Sequence, residues 1–226
     1  MKAILETPKP VRRRSRATSL FPGMGNLLTA PRLMRRSELP VRPRGEVWSD
    51  DELLKLGSTN TDIKFELRNG EIIAMPPAGH RHGAVITRLL LSIASHVETH
   101  KLGTTLEGQT GYRLSLQHCL APDVSFVAKD RYKLLLPDAD KYFQGAPDLA
   151  VEVLSPSDSI TETERKLALF LAHGTHLAWM VDPRRKWVRV YRKLGEFELL
   201  SSDRILTGNS VLPGFRLSLH RLFDEL

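Results

Sequence analysis

One segment limits the folds open to this chain more than any other. Leu149-Ala150-Val151-Glu152-Val153-Leu154 is apolar except for one carboxylate, and Ser155-Pro156-Ser157-Asp158 ends it. A run of this length with almost no polar alternation reads as a strand covered on both faces. Such a strand needs a layer on each side. Glu152, caught inside it, is costly to bury unless another group pairs with it.

The flanking segments supply the layers. Ser49-Asp50-Asp51-Glu52 sets a capping residue and acids ahead of Leu53, Leu54 and Leu56, a short helix stopped by Gly57. Ile63 to Arg68 and Glu71 to Met75 read as strands joined by the Asn69-Gly70 hairpin turn. Val85, Leu89, Ile93 and Val97 recur every four residues, which predicts a helix from His82 to about Lys101, closed by Gly103. Strands follow at Thr104–Leu106, Gly111–Ser115 and Asp123–Val127, then the buried run. A helix over Glu162–His173 carries Leu167, Phe170 and Leu171 and ends at Gly174. His176–Val181, Trp187–Tyr191 and Phe197–Leu200 are further strands, and Leu212–Phe223 is expected to add an edge strand and a helical turn. The order predicts an α/β fold, a central mixed sheet flanked by helices.

Charge divides the chain unevenly. The net charge is +7, but residues 1–45 hold 11 Lys/Arg and two acids, so the remainder is slightly acidic. That tail has six prolines and no sustained periodicity, and is expected to be a disordered basic extension preceding a folded domain at 46–226. It reads as a solvated extension, as the product of a start upstream of Met24 or Met34, or as a phosphate-binding arm; a transit peptide fits less well, and a secretory signal would need an apolar stretch that is missing. The longest apolar run, Leu89 to Ala94, is broken by Ser92, so no membrane span is expected. Cys119 is the single cysteine, which excludes an internal disulfide and fits a cytoplasmic protein.

Two carboxylates carry the chemistry. Asp123 opens a strand directly after Ala121-Pro122, and Glu152 sits within the buried run. Together they call for a compensating cation, and Mg²⁺ or Mn²⁺ favours such hard oxygen donors. A buried pairing of Glu152 with a base such as Lys166 would also satisfy it. Lys166 falls mid-helix just before Leu167, where its ammonium either turns back towards the strand end or points to solvent. Asp148 repeats the Ala-Pro-Asp string, but about 13 Å along an extended strand separates it from Glu152, too far to share a metal. It reads as a strand-start residue, and Asp182-Pro183 as a turn.

Several strings in order, Phe65-Glu66-Leu67-Arg68-Asn69-Gly70-Glu71-Ile72, His82-Gly83, APDVSFV, APDLAVEVLSPSD, Lys166, HLAWMVDP and VRVY, resemble the Uma-type restriction endonuclease family of the PD-(D/E)XK nuclease superfamily. The likeness runs from about Trp48 to Tyr191. It implies a restriction-endonuclease-like fold, with Asp123, Glu152 and Lys166 catalytic. The superfamily lysine two residues after the Glu is replaced here by Leu154, and Lys166 takes its place from the following helix. Glu66 matches a family acid and is a candidate third metal ligand, or else a strand residue paired with Lys64 or Arg68. His82 matches another family position, as an auxiliary group at phosphate or as a helix cap.

The resemblance implies a Mg²⁺- or Mn²⁺-dependent endonuclease acting on nucleic acid, with DNA the expected substrate and a homodimer suited to cutting both strands. A non-catalytic nucleic-acid-associated protein that retains the fold is the alternative. A carboxylate-pair glycosidase is disfavoured by the 7% aromatic content.

Overall fold

The computed structural model describes residues 39–43, 46–60, 63–75, 77–135 and 140–225. Residues 1–38 and 44–45 of the expected basic extension lie outside the described residues. Residues 39–43 do not fit a free tail: Leu39 packs on the Trp48 cluster, and the Arg42 guanidinium lies 4.3 Å from the Trp48 ring centroid. Arg42 also pairs with Glu46 and Glu52.

The long element is α2 (His80–His100), and its Val85, Leu89, Ile93 and Val97 are fully buried. They pack on one face of a six-stranded sheet of order β11-β10-β9-β8-β6-β3. Its strands are β3 (Gly103–Glu107), β6 (Val124–Ala128), β8 (Leu149–Val153), β9 (Leu177–Asp182), β10 (Trp187–Lys193) and β11 (Glu196–Ser201). Within this sheet only β8 and β9 pair in parallel, and α4 (Ile160–Ala172) makes the crossover that a parallel pair requires. Every residue of β8 is buried, as the apolar run predicts.

Alternation along β8 decides what Glu152 meets. Leu149, Val151 and Val153 join the core beneath α2, whereas Ala150 and Leu154 join the core that holds Leu167 and Phe170 of α4. Glu152 shares the parity of Ala150 and Leu154, so it faces α4. That second core also takes side chains from a five-stranded sheet of order β2-β1-β5-β4-β7. This sheet comprises β1 (Lys64–Arg68), β2 (Glu71–Met75), β4 (Tyr112–Ser115), β5 (His118–Leu120) and β7 (Phe143–Gln144). Behind it, α1 (Asp50–Thr59) starts on a full Ser49/Glu52 capping box.

The α/β layering agrees with the sequence reading, and several boundaries do not. Helix α1 passes through Gly57 to Thr59, since a glycine weakens a helix by only about 1 kcal/mol. Helix α2 stops on Lys101, which adopts the left-handed conformation at φ 53°. Gly103 instead opens β3, where a side chain would run into the Val127 carbonyl. The first hairpin belongs to the second sheet rather than the central one. The C-terminal strand β13 (Leu212–Ser218) pairs with β12 (Ile205–Gly208) in a separate ribbon before the short α5 (Leu219–Leu222), and is not an edge of the main sheet. The short elements β5, β7 and α3 (Lys129–Leu135) carry too few residues to show a period.

Candidate active site

The site forms where the end of β8 meets β6, α4 and the charged face of β1. Strands β6 and β8 run antiparallel with Val124 opposite Val151, which sets Asp123 across from Glu152. Cross-strand neighbours point to the same face, so the two carboxylates are brought together, as expected. Asp123 is held by its backbone and side chain: its N–H donates to the Val151 carbonyl at 2.9 Å, and its Oδ2 accepts from the Val153 N–H at 2.8 Å. His82, in the first turn of α2, brings Nε2 to 3.5 Å from the same Oδ2. It approaches the Asp123 carboxylate rather than capping the helix.

Lys166 is not a solvent-facing lysine. It is 4% exposed and its ammonium lies 2.6 Å from Glu152 Oε1 and 2.7 Å from Glu66 Oε1. Its N–H also donates to the Ala121 carbonyl at 3.0 Å. The apolar stripe of α4 binds the sheet through Leu167 and Phe170, and carries its neighbour Lys166 into the same interior.

Glu66, a candidate third ligand, is otherwise engaged. Its Oε1 accepts from the Ala121 N–H at 3.0 Å and pairs with Lys166, while Oε2 accepts from Nε of Arg68 at 2.8 Å and from Nη2 at 2.5 Å. Four donors fill the roughly four lone-pair sites of a carboxylate. The arrangement makes Glu66 a brace for Lys166 and Arg68, with both of its oxygens engaged by protein donors.

Environment splits the carboxylates apart. Burial, aided by Asp123 and Glu66, pushes Glu152 up to about 7 in spite of Lys166. Burial also works against the Asp123 anion, but contact with His82 and the charges of Lys64 and Lys166 outweigh it and hold that carboxyl below its usual range. Burial opposes the His82 cation, and Asp123 more than offsets this, so the imidazole holds its proton above the usual value. Glu66 is held well down: Lys166 and Arg68 overcome the cost of its burial.

Asp123, Glu152, His82, Lys166, Lys64 and Arg68 all line one cleft of about 590 Å³. Among the described residues no three His, Cys, Asp or Glu side chains cluster at metal-ligand spacing. A two-carboxylate set does not suit zinc, but it does suit Mg²⁺, which keeps several waters and takes one or two carboxylates with substrate phosphate. Buried Glu152 Oε1 has the Lys166 charge beside it but no donor in hydrogen-bond geometry, as fits an oxygen able to take a cation. Sequence reasoning missed Lys64 as a cleft residue, and the Lys64-Phe65-Glu66-Leu67-Arg68 alternation was the available signal.

Comparison with known proteins agrees with this geometry. No curated protein matches the chain. A crystal structure described as a putative nuclease belonging to DUF820, from Anabaena variabilis, matches with a TM-score of 0.65 and 27% identity, over 78% of this chain and 97% of its own. Together with the mixed sheet and its flanking helices, that likeness makes the fold restriction-endonuclease-like. The family model described as Uma2, putative restriction endonuclease, matches residues 50–220 and so spans every residue of the cleft, from Ile63 to Lys166: the chain belongs to the Uma2 family.

Proposed function

We propose that this protein is a divalent-metal-dependent endonuclease that hydrolyses phosphodiester bonds, with DNA as its substrate. The observation that carries this reading is the placement of Asp123 opposite Glu152, with Lys166 buried against Glu152, in one open cleft. Membership of a nuclease family supports the nucleic-acid substrate class.

Asp123 and Glu152 would hold Mg²⁺ or Mn²⁺. What such an ion supplies when bound is Lewis acidity towards the scissile phosphate and a lowered pKa for water. The chain's own residues do the rest. Lys166 lies close enough to Glu152 to orient a water for attack on phosphorus and to offset charge building on the phosphoryl oxygens. As the new P–O bond forms, the attacking water gives up a proton to solvent, the ester P–O bond breaks, and the leaving oxygen takes a proton from solvent. Glu66, itself held by Arg68, fixes Lys166 laterally, so the ammonium needs little reorganisation during the reaction. His82 restrains the orientation of Asp123.

One feature favours the second reading, a binding protein that keeps the fold without cutting. Lys64, Arg68 and Lys166 already balance Glu66, Asp123 and Glu152 in sign, so the cluster does not depend on a metal for neutrality. The test is nicking of supercoiled plasmid, beside single-stranded DNA and RNA, with Mg²⁺, Mn²⁺ or chelator. Metal-dependent conversion to nicked or linear plasmid is expected. Binding without cleavage under every metal would favour the second reading.

A further inference from the structure

Four cationic side chains, Lys64, Arg68, His82 and Lys166, line the cleft, and three of them face carboxylates. Arg68 pairs with Glu66, His82 with Asp123, and Lys166 with both Glu66 and Glu152. Lys64 is different. Its ammonium donates to the Ala121 carbonyl at 2.6 Å, and among the described residues no carboxylate lies within ion-pair distance of it. It is only partly exposed, and burial with the like charge of Lys166 outweighs the pull of the more distant Glu66, Asp123 and Glu152 and disfavours its charged form. A cation lowered into a wall beside a neutral oxygen loses hydration without gaining a direct ion-pair partner, and only carboxylates farther off offset the loss. An ammonium has three N–H donors, so the Ala121 contact leaves two unused.

We infer that Lys64 is the phosphate-binding residue of the cleft, and that it holds a backbone phosphate of the nucleic acid beside the one attacked over Asp123 and Glu152. The inference rests on the nuclease reading above and deepens it. Strand geometry carries it: Lys64, Glu66 and Arg68 alternate along one face of β1, and Glu66 at the centre ties Arg68 and Lys166 in place. Of the three charged positions, Glu66 and Arg68 are paired with each other, and Lys64 alone has no ion-pair partner among the described residues. An oligonucleotide phosphate would replace its lost hydration with a charge-assisted hydrogen bond.

A purely structural role is the competing account, because Lys64 and Lys166 grip the same carbonyl two residues before Asp123. The experiment separates them by titrating a fluorescent duplex oligonucleotide against wild type, Lys64→Gln and Lys64→Arg across a salt series. Ca²⁺ replaces Mg²⁺ to suppress cleavage, and each variant is also melted. The expected result is about tenfold weaker binding for Lys64→Gln, with a plot of log affinity against log salt shallower by roughly one unit. Lys64→Arg should keep most of the slope, and the melting temperature of Lys64→Gln should hold or rise as a poorly paired charge is removed. Unchanged slope and affinity with a lower melting temperature would overturn the inference and make Lys64 a strut. Wild type that binds no oligonucleotide would sink the nuclease reading itself, and the inference with it.

Discussion

The chain writes Ala-Pro-Asp twice, and the two copies teach how the partner across a ladder sets the surroundings of an aspartate. Ala121-Pro122-Asp123 and Ala146-Pro147-Asp148 lead into β6 and β8, which pair antiparallel. Each aspartate does the same backbone work: Asp123 donates its N–H to the Val151 carbonyl and accepts from the Val153 N–H, while Asp148 donates to the Phe126 carbonyl and accepts from the Ala128 N–H. Both extend the ladder past the end of a strand, and the proline before each cannot donate to it. The difference lies across the ladder. Asp123 stands opposite Glu152, a second buried carboxylate, and must share an enclosed space with Lys166 and Lys64. The register puts Val127 opposite Asp148, whose charge is met by Arg131 at 2.8 Å and His176 at 3.4 Å. One aspartate is paired and satisfied; the other belongs to a crowded cluster that opens on a cleft.

The sharpest way to break this comparison is to neutralise the first aspartate. Asp123→Asn keeps the shape, and its carbonyl oxygen can still accept from Val153, so folding should persist. Cleavage should fall by about 10³-fold or more, because one of two carboxylates that would hold the cation is gone. Wild type should melt at higher temperature as Mg²⁺ is added, and the variant should not. An equal metal response in both proteins would remove Asp123 from the site.

Lys166→Ala comes next, with cleavage expected to drop about 10²-fold, the scale of losing one preorganised charge. It should also destabilise by about 3 kcal/mol, since Glu66 and Glu152 would share an interior with their common counter-charge removed. A solvent-facing helix lysine would change stability by at most about 0.5 kcal/mol. Intact cleavage with lost stability would keep Lys166 as a structural cation and reject it as a catalytic one.

The sequence disclosed this site unevenly, for physical reasons. Glu152 was legible because an acid inside Leu149–Leu154 breaks a pattern that strand burial imposes. Asp123 was legible as the start of a strand. The inward turn of Lys166 was open on periodicity alone: the apolar Leu167 and Phe170 orient α4, but whether a long side chain beside them folds in or out depends on what the sheet offers. The protein partners of Glu66 were hidden for the same kind of reason. The Ala121 N–H and Lys166 lie 55 and 100 positions away, and no local pattern brings them near. Lys64 had a period-2 signal but no visible target. At the level of fold, β8 and α2 were readable from long patterns, whereas the separate sheet that holds β1 depends on pairing with the three-residue β5.

A third test turns the crowding of Asp123 and Glu152 into a pH dependence. Glu152 titrates near 7 in the folded protein, above its ordinary value of 4.5, so folding draws a proton onto it. Its contribution to stability is therefore greatest at low pH and declines as pH rises through about 7. Activity runs the other way, since the ionised carboxylate is the form that would hold a cation. Under sub-saturating Mg²⁺, kcat/KM should climb about tenfold per pH unit on an acid limb near neutrality, and the limb should move to lower pH as Mg²⁺ rises. Melting curves of Glu152→Gln should lose the matching slope in stability. A flat rate profile through the neutral range would contradict the environment described for Glu152.

The smallest effect on cleavage is expected at the second aspartate, and it tests the comparison from its quiet side. Asp148→Ala removes the acceptor for the Ala128 N–H and leaves Arg131 without its carboxylate, in a position only 6% exposed. Losing a buried charge-assisted hydrogen bond costs about 2 kcal/mol, which lowers the melting temperature of a domain this size by roughly 4–8 °C. Asp148 lies at the opposite end of β8 from Glu152, and it does not line the cleft that holds Asp123, Glu152 and Lys166. Cleavage per folded molecule, measured well below the melting transition, should therefore match wild type within about twofold, as surface and distant sites act independently. A large loss of activity with stability intact would mean that the two Ala-Pro-Asp strings share a function, and that the partner across the ladder is not what separates them.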